Sequence, residues 1–230
     1  MNRCTAITMI ATIARLLEGL RHVAIGASSP IPAAGALLAR ERSAGRMVVS
    51  ILGSERQNPF TDGGRELFDC AAQGRIDAFF LSGVQIDARA NVNLLGLGAP
   101  PRLQKRFLGN FGAPYLASLI PRLILFRTDH SPRTLVERVD FVTAPGRDGR
   151  ELLTNRCLFR REQGRLRLVS LHPGETFDDV AAATGFALER PDELTTTPGP
   201  TAEELGNING WIAEEIAEIY PRFSEEVLRG

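Results

Sequence analysis

The sequence predicts an α/β fold built on a mostly parallel sheet. Three apolar runs, at 22–26 (HVAIG), 46–52 (RMVVSIL) and 77–83 (DAFFLSG), have strand length and little polar alternation, as strands covered on both faces do. Between them lie segments whose apolar residues recur every three or four positions, the period of a helix with one buried face. Strands that alternate with helices are joined by crossovers, and crossovers favour parallel pairing.

The first helical segment carries Ile10, Ile13, Leu16, Leu17 and Leu20 along one face and stops near Gly19. HVAIG follows as a strand. Pro30 and Pro32 then open a second helix through Ala33, Leu37, Leu38 and Arg40, since proline is tolerated in a helix's first turn. After RMVVSIL come a polar turn at 53–61, a helix over 62–74 with Leu67, Cys70 and Ala71 on one side, and the strand DAFFLSG. The second half is richer in strands, expected at 122–127, 138–143, 156–161 and 165–171, the last two joined by a hairpin at 162–164. Residues 191–200 form a polar, proline-bearing connector. Thr201 followed by Glu204 is a capping box that opens a last helix with Leu205, Ile208, Ile212, Ile216 and Ile219 along it. The whole chain, 1–230, is expected as one domain, with 191–200 linking it to its C-terminal helix.

Composition narrows the function. With 43% hydrophobic and 23% charged residues, 230 residues can bury a sizeable core. The 27 basic residues balance the 27 acidic ones, so no long-range field draws the chain to nucleic acid or to an anionic membrane, and neither is expected as a partner. Cys4, Cys70 and Cys157 are odd in number and far apart, which argues against a disulfide framework and a structural zinc site. Thr12, Arg15 and Glu18 interrupt the apolar stretch at 7–20, so it does not read as a spanning helix, and no small-residue cleavage signal follows it. The expected compartment is the cytoplasm. Neither a GxGxxG fingerprint nor a GxxxxGKS/T loop occurs.

Four segments place small or polar residues directly after an apolar run, where open α/β sheets hold their ligands. Gly26, Ala27, Ser28 and Ser29 end the first strand; they read either as a tight strand-to-helix turn or as a point of close ligand approach. Glu55, in the turn after RMVVSIL, reads alone as a solvated turn residue beside Arg56, though a carboxylate there can also act as nucleophile or general base. Gln85, Asp87, Asn91 and Asn93 put four hydrogen-bonding side chains within nine residues, which suggests loop-locking bonds, ligand contact or both. Gly109, Asn110 and Gly112 form a turn whose backbone N–H groups suit an oxyanion, or whose glycines merely supply unusual dihedrals. His172 precedes Pro173 and Gly174 and fits a strand-ending turn better than a catalytic triad.

Taken in order, GASSPIPAAGALLAR, GSERQNPF, GRIDAFFLSGVQID with NVN, GNFGAP, VDFVTAPG and SLHPGETFDDVAAATGF resemble the beta subunit of the family I coenzyme A transferases, of the glutaconate type. The likeness runs from about Ile10 to beyond Phe186, and GVQID with NVN is its most specific part. A heterodimeric ring-opening hydrolase of bacterial steroid degradation is similar as well.

The resemblance implies a three-layer α/β/α domain whose active site is shared with a homologous alpha subunit. It implies an acyl-CoA thioester as substrate, with no permanently bound cofactor and no metal. In such transferases a beta-subunit glutamate attacks the thioester and passes through an acyl-glutamyl anhydride to a glutamyl-CoA thioester. Matched residue by residue, Glu55 takes that role, Gly112 supplies a backbone oxyanion donor and Gln85 lies near the thioester. Gly26, Ala27, Ser28, Ser29, Asn91, Asn93, Gly109 and Asn110 become substrate- and CoA-binding positions. Two departures stand out: Ile51 and Leu52 occupy the strand end where the family carries its glutamate, and Ala90 replaces the glycine before NVN. In the ring-opening relatives the essential carboxylate comes from the alpha chain. A hydrolase subunit and a non-catalytic subunit that completes the partner's site are therefore the alternative expectations.

Overall fold

The computed structural model describes residues 2–108 and 111–230 and resolves into two compact units. The first comprises Met1–Phe80, Leu119–Arg122 and Pro198–Gly230; the second comprises Leu81–Ser118 and Leu123–Thr197. In chain order the elements begin with α1 (Arg3–Leu16), β1 (His22–Ile25), α2 (Pro30–Arg42), β2 (Val48–Ile51), α3 (Gly63–Ala72) and β3 (Ala78–Leu81). Short strands follow, β4 (Gln85–Asp87), β5 (Val92–Asn93), β6 (Gly96–Leu97) and β7 (Lys105–Arg106), and then α4 (Ala113–Leu119). Next come β8 (Arg122–Arg127), β9 (Leu135–Val136), β10 (Glu151–Thr154), β11 (Cys157–Glu162), β12 (Arg165–Leu171), α5 (Phe177–Ala182) and β13 (Thr195–Thr196). The chain closes with α6 (Ala202–Asn207), a π-helical turn (Ile208–Ile212), α7 (Ala213–Ala217), α8 (Pro221–Phe223) and a second π-helical turn (Ser224–Leu228).

In the first unit β1 lies between β2 and β3 and pairs in parallel with both, with His22 opposite Val48 and Val23 opposite Ala78. Val23, Ala24 and Ile25 are wholly buried, which is why this run shows no polar alternation. Helices α1 and α2 pack against each other at Gly35, where a Cβ would stand 2.4 Å from Ile13 Cγ2; only glycine lets the two backbones approach that closely. Ile10, Ile13 and Leu17 are buried from α1 and its end, each burial being worth about 1.5–3 kcal/mol at most. In-register pairing of β1 and β2 brings their C-terminal ends out side by side, and Leu52 N–H donates to Ile25 O. The candidate site begins there.

The second unit holds the strand order β8-β10-β11-β12-β13. The β8/β10 and β12/β13 pairs are parallel and the two between are antiparallel. A separate small sheet sets β4 between β5 and β9. The expected α/β class forms, with parallel pairing among its leading strands. The expected hairpin turns at Gln163 and Gly164, both at positive φ. Within the 191–200 connector, Thr195–Thr196 pairs with Ser170–Leu171.

Two sequence expectations need correction. Residues 138–143 do not form a strand. Two of their backbone donors go instead to side chains of β4, Asp140 N–H to Gln85 Oε1 and Val139 N–H to Asp87 Oδ2, Thr143 N–H goes to Val92 O, and Phe141 and Val142 face outward. The last helix starts at the expected capping box, with Thr201 and Glu204 bonding reciprocally, but it is not continuous. Gly210 leaves helical geometry (φ −92°, ψ −113°) inside the first π-helical turn, and Tyr220 turns the chain out before Pro221.

Candidate active site

In the first unit the site is made of two turns at adjacent strand ends. After β1, Ser28 sits in the left-handed region at φ +58°, a conformation that costs a non-glycine residue about 1–2 kcal/mol. Ser29 N–H donates to Tyr220 Oη at 3.1 Å, and Ser29 Oγ donates to Ala27 O. Two of the first three residues of α2 are proline, so Ile31 alone carries an N–H there, and this helix start offers fewer donors than its position suggests.

After β2 the chain doubles back, with Ile51 N–H bonding Gln57 O and Gly53 at φ +92°. Ser54 is buried and its Oγ accepts from the N–H groups of Arg56 and Gln57. The Glu218 carboxylate closes the turn. Its Oε2 accepts from Ser54 Oγ at 2.7 Å, and its Oε1 accepts from Glu55 N–H at 2.6 Å and Arg56 N–H at 3.3 Å. Burial pushes the Glu218 carboxyl up, but those hydrogen bonds outweigh it and hold its pKa below the ordinary glutamate value. The Glu55 side chain stands exposed at the tip, and among the described residues its carboxylate has no hydrogen-bond or ion-pair partner.

In the second unit GVQID and NVN form the antiparallel pair β4/β5, Gln85 opposite Asn93 and Ile86 opposite Val92. Asp87 Oδ1 accepts from the N–H groups of Arg89 and Asn91, and its Oδ2 from Asn91 Nδ2. Asn91 Oδ1 accepts from Gly146 N–H. Asn93 is 0% exposed. Its Oδ1 accepts from the N–H groups of Leu95 and Gly96, so the other end is the nitrogen, which donates to Gln85 Oε1 at 2.8 Å and Gly96 O at 2.7 Å. Gln85 Oε1 also takes Asp140 N–H at 3.0 Å. Two donors on one oxygen fix the amide of Gln85, and among the described residues nothing accepts from its Nε2. Ala90, where the resembled family has glycine, holds φ +59°, the conformation that explains the family's preference.

Gly112 takes φ +63° just before α4, and Gly109 and Asn110 lie outside the described residues. The structure thus joins Gly26 to Ser29 with the Glu55 turn, and Gln85 with Asn91 and Asn93. No described hydrogen bond links Gly112 to either set. Sequence reasoning missed Glu215, Glu218, Tyr220 and Asp140; the first three lie more than 150 positions from their partners, and the fourth was hidden in a segment that reads as a strand.

Other nucleophile and base pairs are structural. Cys157 Sγ lies 3.8 Å from His130 Nδ1, but the thiol is fully buried and burial pushes its pKa far up. Burial, aided by the Arg156 charge, brings His130 down to about 4, and its two ring nitrogens are taken by Thr154 and Thr184. His172 bonds Thr197 and the Thr154 carbonyl at the end of β12, as its turn-forming sequence suggests. A cleft of about 460 Å³ lined by Leu20, Arg21, Arg46 and Met47 opens at the N-terminal ends of β1 and β2, away from these turns. Among the described residues no group of His, Cys, Asp and Glu is placed to hold a metal ion, and no helix is long and apolar enough to cross a membrane.

Comparison with known proteins places these turns in context. The chain is 31% identical over 150 residues to a subunit of the 3-oxoadipate CoA-transferase of Pseudomonas knackmussii, covering 57% of each chain. It is 29% identical over 156 residues to the IpdB component of the cholesterol ring-cleaving hydrolase of Rhodococcus jostii, covering 61% of each. The matched part thus spans little more than half the length of these curated relatives. The crystal structure of the decarboxylase AibA/AibB matches the fold with a TM-score of 0.82 at 24% identity, covering 99% of this chain and 100% of that one. The sequence profile described as Coenzyme A transferase matches residues 3–183, and the chain belongs to the coenzyme A transferase family.

Proposed function

We propose that this chain is the beta-type subunit of a CoA-transferase that moves CoA between a CoA thioester and a free carboxylate, working with a homologous alpha subunit. The observation that carries the reading is the Glu55 turn: a carboxylate without a partner of its own, at a strand end, on a backbone tied down at every N–H from 55 to 57. A nucleophile needs this combination of a free head group and a fixed base.

The chemistry balances without redox change. A Glu55 oxygen attacks the thioester carbonyl carbon, the C–S bond breaks, and CoA leaves as thiolate from an acyl-glutamyl anhydride. The thiolate attacks the Glu55 carbonyl carbon, the C–O bond breaks, and the first acid leaves as carboxylate. The acceptor carboxylate then reverses both steps and departs as the new thioester. Gly112 N–H would stabilise the oxyanion, and Gln85 Nε2, the uncommitted end of a fixed amide, would donate to an acyl oxygen. Asn91 and Asn93, whose polar atoms are engaged within their own hairpin, would hold Gln85 in place, while Gly26, Ala27, Ser28, Ser29, Gly109 and Asn110 would border the CoA ester. Support for the partner comes from the relatives' own names, which are those of subunits.

Borohydride trapping of the chain co-purified with its partner, after incubation with 3-oxoadipyl-CoA and glutaconyl-CoA, should leave a reduced glutamyl thioester at Glu55 by mass spectrometry. Full transfer activity in Glu55→Ala would remove that residue's role. The second reading, a subunit of a ring-opening acyl-CoA hydrolase, is favoured by Ile51 and Leu52 at the end of β2, where the transferases carry their glutamate. Under it no glutamyl thioester forms and the partner's carboxylate alone is required.

A further inference from the structure

We infer that Glu218 is a positioning residue for Glu55, so that a side chain 163 positions downstream serves the transfer reaction. The inference rests on the reading of Glu55 as acyl carrier. It goes beyond that reading because residue 218 lies outside the 3–183 stretch that defines the family.

The geometry concentrates three side chains of the C-terminal segment on the two strand-end turns. Glu218 takes Ser54 Oγ, Glu55 N–H and Arg56 N–H. Glu215, three residues earlier, accepts from Gln57 Nε2 at 2.7 Å and Arg56 Nη1 at 3.4 Å. Tyr220, two residues later, accepts from Ser29 N–H at the end of β1. The local break in the helix makes this possible. Tyr220 has left helical geometry (φ −125°, ψ 62°) ahead of Pro221, so its ring reaches the first turn while Glu215 and Glu218 reach the second.

Glu55 stands at the tip of a turn whose own sequence, Gly53-Ser54-Glu55-Arg56, has no bulky apolar anchor. Attack on a thioester needs the carboxylate held in a near-attack geometry, and small displacements there are expensive in rate. Carboxylate-to-N–H bonds are charge-assisted, about twice as strong as neutral ones, and here one of them grips the backbone of the nucleophile itself. Glu218 is unsuited to be the acyl carrier, because both its oxygens already accept hydrogen bonds.

The test uses the chain with its partner subunit, as Glu218→Ala and Glu218→Gln. Amide hydrogen exchange over 52–60 reads the turn without any substrate, and single-turnover borohydride trapping at Glu55 with glutaconyl-CoA reads the chemistry. In Glu218→Ala, exchange at Glu55 and Arg56 should quicken at least about tenfold, and trapping should slow by roughly 10- to 100-fold with KM for the CoA ester within about twofold. Glu218→Gln keeps the shape and one acceptor oxygen, so trapping should fall by only about fivefold; it carries the test if the alanine variant does not fold. Trapping at the unsubstituted rate in either variant overturns the inference, as does a loss that merely follows the fraction of unfolded protein. Absence of any trapped species in the unsubstituted complex removes the transferase reading itself, and this role with it.

Discussion

The Glu55 turn and the Gln85 hairpin solve one problem, fixing a polar group after a buried strand, with opposite materials. Asn93 reaches Gln85 eight positions away and Asn91 reaches Asp87 four away, so most of the second frame comes from its own loop. The first frame borrows Glu218 and Glu215 from the far end of the chain. A locally built frame is part of the folded core of its unit, since Asn93 and Asp87 are buried. A borrowed frame lies at the surface, where its loss should disturb geometry more than stability.

That contrast can be broken in several places. Replacing Glu55 by alanine should lower kcat by at least about 10³-fold and change the unfolding free energy measured in urea by no more than about 0.5 kcal/mol, as exposed positions do. Asn93→Ala should behave the other way. It strands Leu95 N–H, Gly96 N–H and Gly96 O in a buried site, a loss of about 3 kcal/mol measurable by urea denaturation. A smaller, pH-dependent effect tests how firmly the second unit is buried. The folded-state pKa of His130, about 4, is below its unfolded value of about 6.5, so the unfolded chain takes up the proton first. Its stabilisation is complete above about pH 6.5 and is lost as pH falls toward 4, by at most about 3 kcal/mol. Stability measured against pH should lose that slope in His130→Asn. Half-buried His22, also lowered by burial, adds a slope of the same sign in the first unit. The smallest effect is Thr201→Ala, which removes the cap of α6 and should cost about 1 kcal/mol by thermal melting.

Legibility followed the range of the interactions involved. HVAIG, DAFFLSG and RLILFR are apolar enough to announce themselves, and each forms a strand within a residue or two of its expected bounds. Strands of two or three residues such as β4, β5 and β9 have no period to read. The RVDFVT segment misleads because its alternation suggests a ladder, while the N–H groups of Val139 and Asp140 are claimed by the side chains of Asp87 and Gln85. In the site, the cluster of Gln85, Asp87, Asn91 and Asn93 was visible as a concentration of amides and a carboxylate. Which of them has an uncommitted end was not, because that depends on where Leu95, Gly96 and Asp140 aim their backbone donors.

By itself the sequence determined the α/β class, the order of its leading strands and helices, the capping box at Thr201 and the family likeness. These follow from local periodicity, caps and short motifs, which act over a few residues. Only the tertiary structure decided that the helix after Thr201 breaks at Gly210 and Tyr220, and that Glu215, Glu218 and Tyr220 land on the turns after β1 and β2. Hydrogen bonds depend on distance in space, and a carboxylate at 218 leaves no local trace of the turn at 55 that it holds.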